Sequence, residues 1–383
     1  MAHTVVILGG GVGGLVAANE LRKALPKQHR VVLVERETSF VFAPSLLWLM
    51  TGGRTAKQIS RPLARLTTKG IEVVRGEIQR IDPSRRDITV DGRSLTADHL
   101  VIALGAELAP ETIPGLPQAG HTFYSLAGAE QLRDALERFS AGKLIVLTAA
   151  PAYKCPAAPY EAAMLLEHYC RKRGIRPKTQ IDLYAAEPGP MGVAGPEVSK
   201  AVRQMVEAKG IAYHPEHQVT QVDPGSRTVH FANGVQASCD LLVYVPPHRA
   251  PRVVRESGLV TESGWMSADR STLETKFPGV YALGDVVSIP LKLGKPLPKA
   301  GVFAHAQAEV VVGNIVRAIT GKGRATRFDG EGECFVETGD GKAGFGKGNF
   351  YAEPVPQVKL HPLGRGWHAA KVLFEKNWLR RWF

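Results

Sequence analysis

Four cysteines, Cys155, Cys170, Cys239 and Cys334, are the strongest nucleophiles available to this 383-residue chain. A thiolate attacks disulfides and electrophilic cofactors, whereas a protonated, buried cysteine is a small hydrophobe. No two of the four form a CxxC pair, which argues against a structural zinc site and against the disulfide framework of a small secreted domain. Cys170 falls near the end of a helical run and Cys239 just before the apolar strand 241–245, and both read as buried structural residues. Cys155 lies instead in a turn, Ala149-Ala150-Pro151-Ala152-Tyr153-Lys154-Cys155-Pro156, followed by Pro159-Tyr160-Glu161 and a helical run over 162–169. Cys334 stands in Glu331-Gly332-Glu333-Cys334-Phe335-Val336-Glu337.

The other chemical signature is backbone rather than side chain. The β-rich run 4–8 breaks at Gly9-Gly10-Gly11-Val12-Gly13-Gly14, a helical pattern follows to Leu25, and a second apolar run, 31–34, ends at Glu35. This is a βαβ unit with GxGxxG spacing and an acid 21 positions after Gly14. Gly9 makes the tight turn, Gly11 admits a pyrophosphate to the backbone, Gly14 lets helix pack on strand, and Glu35 can bind ribose hydroxyls. Two further strands end at glycine turns, Asp98 to Gly105 and Tyr281-Ala282-Leu283-Gly284-Asp285. A second strand–turn–helix, starting from the strand 143–148, has no glycine between Gly142 and Gly174, so its turn cannot close on a second pyrophosphate.

The three glycine segments together resemble the two-dinucleotide-domain flavoproteins of the FAD-dependent disulfide reductase superfamily, with Leu104 standing where a threonine is usual. Within it, the succession Lys154-Cys155-Pro156, Pro159-Tyr160-Glu161, Val245-Pro246-Pro247-His248, Gly284-Asp285, Leu297-Pro298-Lys299-Ala300-Gly301 and Gly332-Glu333-Cys334-Phe335 resembles the sulfide:quinone oxidoreductase family. A relative of that family, the flavoprotein subunit of flavocytochrome c sulfide dehydrogenase, shares the pattern. The resemblance implies an α/β fold with two tandem Rossmann-like dinucleotide-binding domains and a C-terminal amphipathic membrane-interface segment. It divides the chain into a discontinuous FAD domain, 1–110 with 250–325, a second Rossmann-like domain, 111–249, and a C-terminal segment, 326–383.

On this resemblance Gly9, Gly11, Val12, Gly13, Gly14, Glu35, Arg36, Ala43, Pro44, Ile78, Ala103, Gly105, Gly284, Asp285, Lys299, Gly301 and Val302 hold FAD. No cysteine occurs between Ser39 and Gly53 to tether the cofactor, so FAD is expected to be non-covalent. Cys155 and Cys334 become the redox pair. Hydrosulfide attacks sulfur at Cys155, and the thiolate released at Cys334 passes two electrons to the flavin and on to a membrane quinone. Glu161 is placed to accept the sulfide proton or, more simply, to face the helix dipole. Phe335 and Phe374 resemble aromatics that flank the quinone. Many members carry a third cysteine that the stretch Phe123 to Gly128 lacks. Two other functions remain open: a soluble subunit delivering electrons to a c-type cytochrome, and a flavin redox sensor without turnover. No metal site is expected.

Composition bounds the partners. The chain is 44% hydrophobic and 22% charged, which excludes disordered, collagenous and coiled-coil classes. Its net charge of +12 points to an anionic lipid surface, since no nucleic-acid motif is present. No signal peptide is seen, and the apolar run 41–50 is about half the roughly 20 residues that a membrane span needs. At the C-terminus Trp367, Ala370, Phe374, Trp378 and Trp382 recur at helical spacing among basic residues, Lys371 included. The pattern predicts an interfacial helix with tryptophans at headgroup depth and peripheral attachment to the cell membrane, or else a helix docked on its own domain. Homo-oligomers remain open.

Overall fold

The computed structural model describes residues 1–151 and 153–383. The apolar strand Thr4–Leu8 sits at the centre of a five-stranded sheet in the order Val280–Ala282, His99–Ile102, Thr4–Leu8, Arg30–Glu35, Glu72–Arg75. Every pairing in it is parallel, with Val6 opposite both Val32 and Leu100. A parallel sheet covered on both faces needs apolar side chains on both, and Val5 through Leu8 are all fully buried. The helices Val12–Ala24 and Gly301–Thr320 contribute Leu15, Leu21, Phe303, Val311 and Ile315 to the same core.

After Ile102 the chain leaves this sheet, builds a second and returns at Val280. The second sheet is also parallel, in the order Ala212–His214, Thr179–Ala185, Gly142–Thr148, Leu241–Val245. The helices Ala158–Lys172 and Pro196–Glu207 cover it, with their own core around Tyr160, Leu166 and Val202. Each unit returns to pair with its own first strand after a three-stranded antiparallel meander, Ile78–Asp82 to Arg93–Thr96 in the first and Val219–Asp223 to Gln236–Ser238 in the second. The repeated crossover makes the two units variants of one design.

The C-terminal residues form a third, antiparallel sheet, Glu331–Gly339, Lys342–Asn349 and Gln357–Gly364, and then the helix Arg365–Trp382. That helix corrects part of the expectation for the tail. Trp378 stacks on Phe40 at 4.9 Å, Trp382 lies edge-on to His305 at 5.5 Å, and Trp367 stacks on Phe345 at 4.6 Å. Trp378 and Trp382 are 5% and 2% exposed, so they belong to the core of the first unit and not to a headgroup layer. Lys371 and Glu375 also point inward: Lys371 bonds Glu161, and Glu375 pairs with Arg54. What the helix leaves outside is Leu373 and Phe374, with Leu363 nearby and the exposed basic residues Lys359, Arg365, Lys376 and Arg380. Among the described residues no helix is long and apolar enough to cross a membrane.

Candidate active site

The glycine turn closes as its spacing demands. Gly9 adopts φ +100°, and a Cβ there would come within 2.5 Å of the Ala103 carbonyl oxygen; at Gly14 a Cβ would collide with the Gly9 carbonyl. Both positions require glycine on steric grounds. Around Gly11, by contrast, a Cβ would meet nothing within 4 Å, which leaves open space beside the N-terminus of the helix Val12–Ala24. Neither that helix nor Gly301–Thr320 has a side-chain cap or an acid in its first turn, and the two N-termini converge, Gly301 lying against Val12. Two sets of free N–H groups with aligned helix dipoles favour anionic or acceptor groups such as a pyrophosphate.

Glu35 ends its strand with Oε2 on Gly10 N at 2.6 Å and Oε1 on Arg36 N at 2.8 Å, so this acid is anchored to the glycine turn. Arg36 is exposed and borders a recess of about 380 Å³ with Arg75, Gly76, Glu77 and Asp91. Ile78 opens the next strand from a buried position, while Ala43 and Pro44 form an exposed single turn at the foot of the buried helix Leu46–Met50. Asp285 stands after the Gly284 turn with Oδ1 shielded from solvent and without a hydrogen-bond partner. Burial raises its pKa, opposed by Lys154 and Lys299. The Lys299 ammonium donates to the carbonyls of Asp285 and Val287 at 2.7 and 2.9 Å and lies 3.5 Å from the Trp265 ring centre. Burial lowers it to about 8. Gly105 at φ +68° and Val302 in the first turn of its helix complete the rim. Open space, two uncapped helix ends and an orphaned carboxylate oxygen fit an extended dinucleotide such as FAD.

The equivalent turn of the second unit is filled. Its ribose-position acid, Glu187, accepts hydrogen bonds from Thr148 Oγ1 at 2.9 Å, Tyr160 OH at 2.7 Å and Tyr153 OH. Tyr153 and Tyr160 are buried there, 8% and 0% exposed. Ala152, in the same turn, lies outside the described residues. Cys155 follows with φ +56°, unusual for a residue with a Cβ, and its N–H donates to the Lys299 carbonyl at 2.6 Å. That bond fastens the second unit's turn to the segment before the helix Gly301–Thr320.

Cys334 comes to the same place from the third sheet, on the strand Glu331–Gly339. Both residues are half-buried free thiols packed on the second core, and each is close enough to Glu161 and Lys371 to feel their charges. Burial pushes the Cys334 thiol up to about 12, with Glu161 adding to the shift and Lys371 opposing it. Cys155 is pushed well above the usual thiol range by burial, then by Cys334 and Glu161. Glu161 is buried and its Oε1 accepts from Lys371 Nζ and from the Glu337 N–H, both at 2.8 Å. Glu337 in turn pairs with His368 Nδ1 at 3.0 Å. Lys371, Glu337 and His368 carried no sequence signal: a lysine on an aromatic stripe reads as solvated, and only the fold shows what faces it. Cys170 lies buried in that second core, nine residues along the helix from Glu161, and Cys239 lies buried in a third core. His305 faces Glu309 on its own helix, and His248 bonds the Pro246 carbonyl at 2.8 Å.

Phe335, next to Cys334, and Phe374, on the tail helix, bring their rings to 6.3 Å, with Phe42 at 5.9 Å from Phe374. Phe374 remains 47% exposed. An aromatic cluster therefore runs from the residue beside Cys334 to the exposed Phe374.

Two linked dinucleotide folds, one with an open glycine cradle and the other with a thiol in place of its glycine loop, define a flavin-type disulfide reductase architecture. Residues 3–308 match the pyridine nucleotide-disulphide oxidoreductase family, and the chain belongs to it. It is 28% identical to the sulfide-quinone reductase of Aquifex aeolicus over 99% of this chain and 91% of that protein. It is 25% identical to the mitochondrial sulfide:quinone oxidoreductase of Mus musculus over 92% of this chain and 79% of that protein. The crystal structure of the sulfide:quinone oxidoreductase from Aquifex aeolicus superposes with a TM-score of 0.91 at 26% identity, covering 100% of this chain and 91% of that one.

Proposed function

We propose that the chain is an FAD-dependent sulfide:quinone oxidoreductase, oxidising sulfide to polysulfide or sulfur and reducing a membrane quinone. The observation that carries this reading is the meeting of Cys155, from the second unit's turn, and Cys334, from the third sheet, around the buried Glu161–Lys371 pair. FAD, when bound, supplies a two-electron acceptor that quinone can reoxidise. Gly9 to Gly14, Glu35, Asp285 and the two helix N-termini hold it non-covalently. In the oxidised protein, where loss of two electrons to FAD and quinone has joined the two cysteines by an S–S bond, hydrosulfide attacks Cys155, presented by its left-handed backbone, and stays as a persulfide while the broken bond's electron pair leaves on Cys334 as a thiolate beside Lys371. The Lys371 charge favours that thiolate against the burial that opposes it. Phe335 and Phe374 flank the quinone ring, and Leu363, Leu373, Phe374 and the basic residues around them rest on an anionic membrane surface. The chain divides as 1–110 with 250–325 for FAD, 111–249 for the thiol turn and 326–383 for quinone and membrane.

Anaerobic addition of sulfide to the flavin-loaded protein tests this reading. Bleaching of the flavin, followed by recovery on adding a short-chain quinone, supports it. Recovery with cytochrome c alone assigns the flavocytochrome function instead, and no bleaching leaves a sensor.

A further inference from the structure

Four ionisable side chains lie behind the thiols, on three different elements. Glu161 comes from the helix Ala158–Lys172, Glu337 from the strand Glu331–Gly339, and Lys371 and His368 from one face of the helix Arg365–Trp382. Lys371 Nζ bonds Glu161 at 2.8 Å, Glu337 N–H bonds the same Glu161 oxygen, and the Glu337 carboxylate meets His368 Nδ1 at 3.0 and 3.1 Å. Glu161, Glu337 and Lys371 are 2%, 1% and 6% exposed, whereas the His368 side chain is 33% exposed. Trp48 walls the row, with His368 edge-on at 6.0 Å and Lys371 at 5.1 Å from its ring centre. Arg54 covers the outer side of that indole, paired with Glu375. The row thus begins beside the thiols, runs through a buried interior and ends at the surface.

Two acids and a lysine are costly to bury together for structure alone. We infer that Glu161, Lys371, Glu337 and His368 form a proton relay that carries the proton of incoming sulfide from the thiol pair to solvent. The inference rests on the sulfide-oxidising reading. When hydrosulfide attacks the bridged pair, its lone pair forms the new S–S bond at Cys155, the old bond breaks, and its electron pair leaves on the Cys334 thiolate. The persulfide at Cys155 then still holds one S–H. As the Cys334 sulfur gives up two electrons to the flavin and on to the quinone, that S–H bond breaks, its electron pair closes a sulfur bridge to Cys334, and a proton is set free. The proton passes to Glu161, the Lys371 ammonium, which bonds Glu161 and is close enough to Glu337 to feel its charge, swings to hand one on to the Glu337 carboxylate, and His368 releases it to water. Burial and the Glu161 charge push the neighbouring thiols up, so a direct partner is needed to take that proton. Lys371 is held charged by Glu161 and Glu337 against the effect of burial, and burial raises Glu337 while Lys371 and His368 oppose it. Glu337 and Lys371, at the middle of the row, thus hold their protons against opposing influences.

Stopped-flow reduction of the flavin by sulfide in His368→Phe and Glu337→Gln tests the relay, with flavin content and melting temperature confirming that each variant is folded. Reduction should slow at least about tenfold in both. In His368→Ala it should recover on adding imidazoles, the faster for a more basic imidazole, a response that a packing defect does not give. Wild-type rates and an unchanged pH profile in the flavin-loaded variants would overturn the relay. If Glu337→Gln does not fold, the half-exposed His368 variants decide alone. If wild-type flavin is not bleached by sulfide, the sulfide reading itself has failed, a result separate from any variant's.

Discussion

Lys371 and Glu161, 210 positions apart, meet at 2.8 Å in an interior where both side chains are under 8% exposed. The bond joins the C-terminal helix to the helix that follows Cys155, and so fixes the position of Cys334's strand between them.

Removing one partner leaves an unpaired buried charge. Lys371→Met or Glu161→Gln is expected to lose about 3–5 kcal/mol in denaturant unfolding. The double replacement should lose less than the sum of the two, because it strands neither group.

The tail helix separates into a structural side and a free side. Trp382→Ala should lower stability by about 3–5 kcal/mol, while Leu373→Ser stays within about 0.5 kcal/mol in thermal melts. Deleting Trp367 to Phe383 is therefore expected to unfold the first unit rather than only to release the protein from lipid. Lys376→Glu with Arg380→Glu is the cleaner probe: flotation with anionic vesicles should weaken, at about 1 kcal/mol for each basic residue lost, while sulfide still bleaches the flavin.

Stability should fall on acidification below neutral. Burial lowers the pKa of His99, His121 and His214, and brings His248 to about 3. The unfolded chain then binds protons near an imidazole's ordinary value of about 6.5 before the folded one does. The stability is fully present above that value and is lost as pH falls toward the folded values. Melting temperatures recorded between about pH 7 and about pH 5 should decline, and His248→Gln should flatten the slope.

Nicotinamide should not be a donor. Glu187 is held by Thr148, Tyr153 and Tyr160 where a nucleotide ribose would need it. Flavin reduction by NADH should be negligible beside reduction by sulfide, and rapid bleaching by NADH would contradict this account of the second unit.

The first unit was readable because its constraints are local: Gly9 and Gly14 must be small where strand, turn and helix touch, and the apolar runs are buried on both faces. The helix starts at Val12, earlier than the apolar pattern at Leu15, since glycines carry no hydrophobic signal but occupy the first turn. Cys155 and Cys334 were found through their family context, and nothing in spacing brings positions 179 apart together. The tryptophan stripe misled because an amphipathic helix has the same pattern whether its apolar side meets lipid or the Phe40 and Phe42 core. Lys371 was read as surface for the same reason; its partner, Glu161, lies on another element altogether.

The central claim is that Cys155 and Cys334 together move electrons from sulfide to flavin. Anaerobic stopped-flow of Cys155→Ser, Cys334→Ser, Cys170→Ser and Cys239→Ser, each with full flavin content, tests it most directly. The account predicts loss of sulfide-driven bleaching in the first two by at least about a hundredfold, the scale of a lost nucleophile, and wild-type rates in the last two. Full-rate bleaching in Cys334→Ser would contradict it.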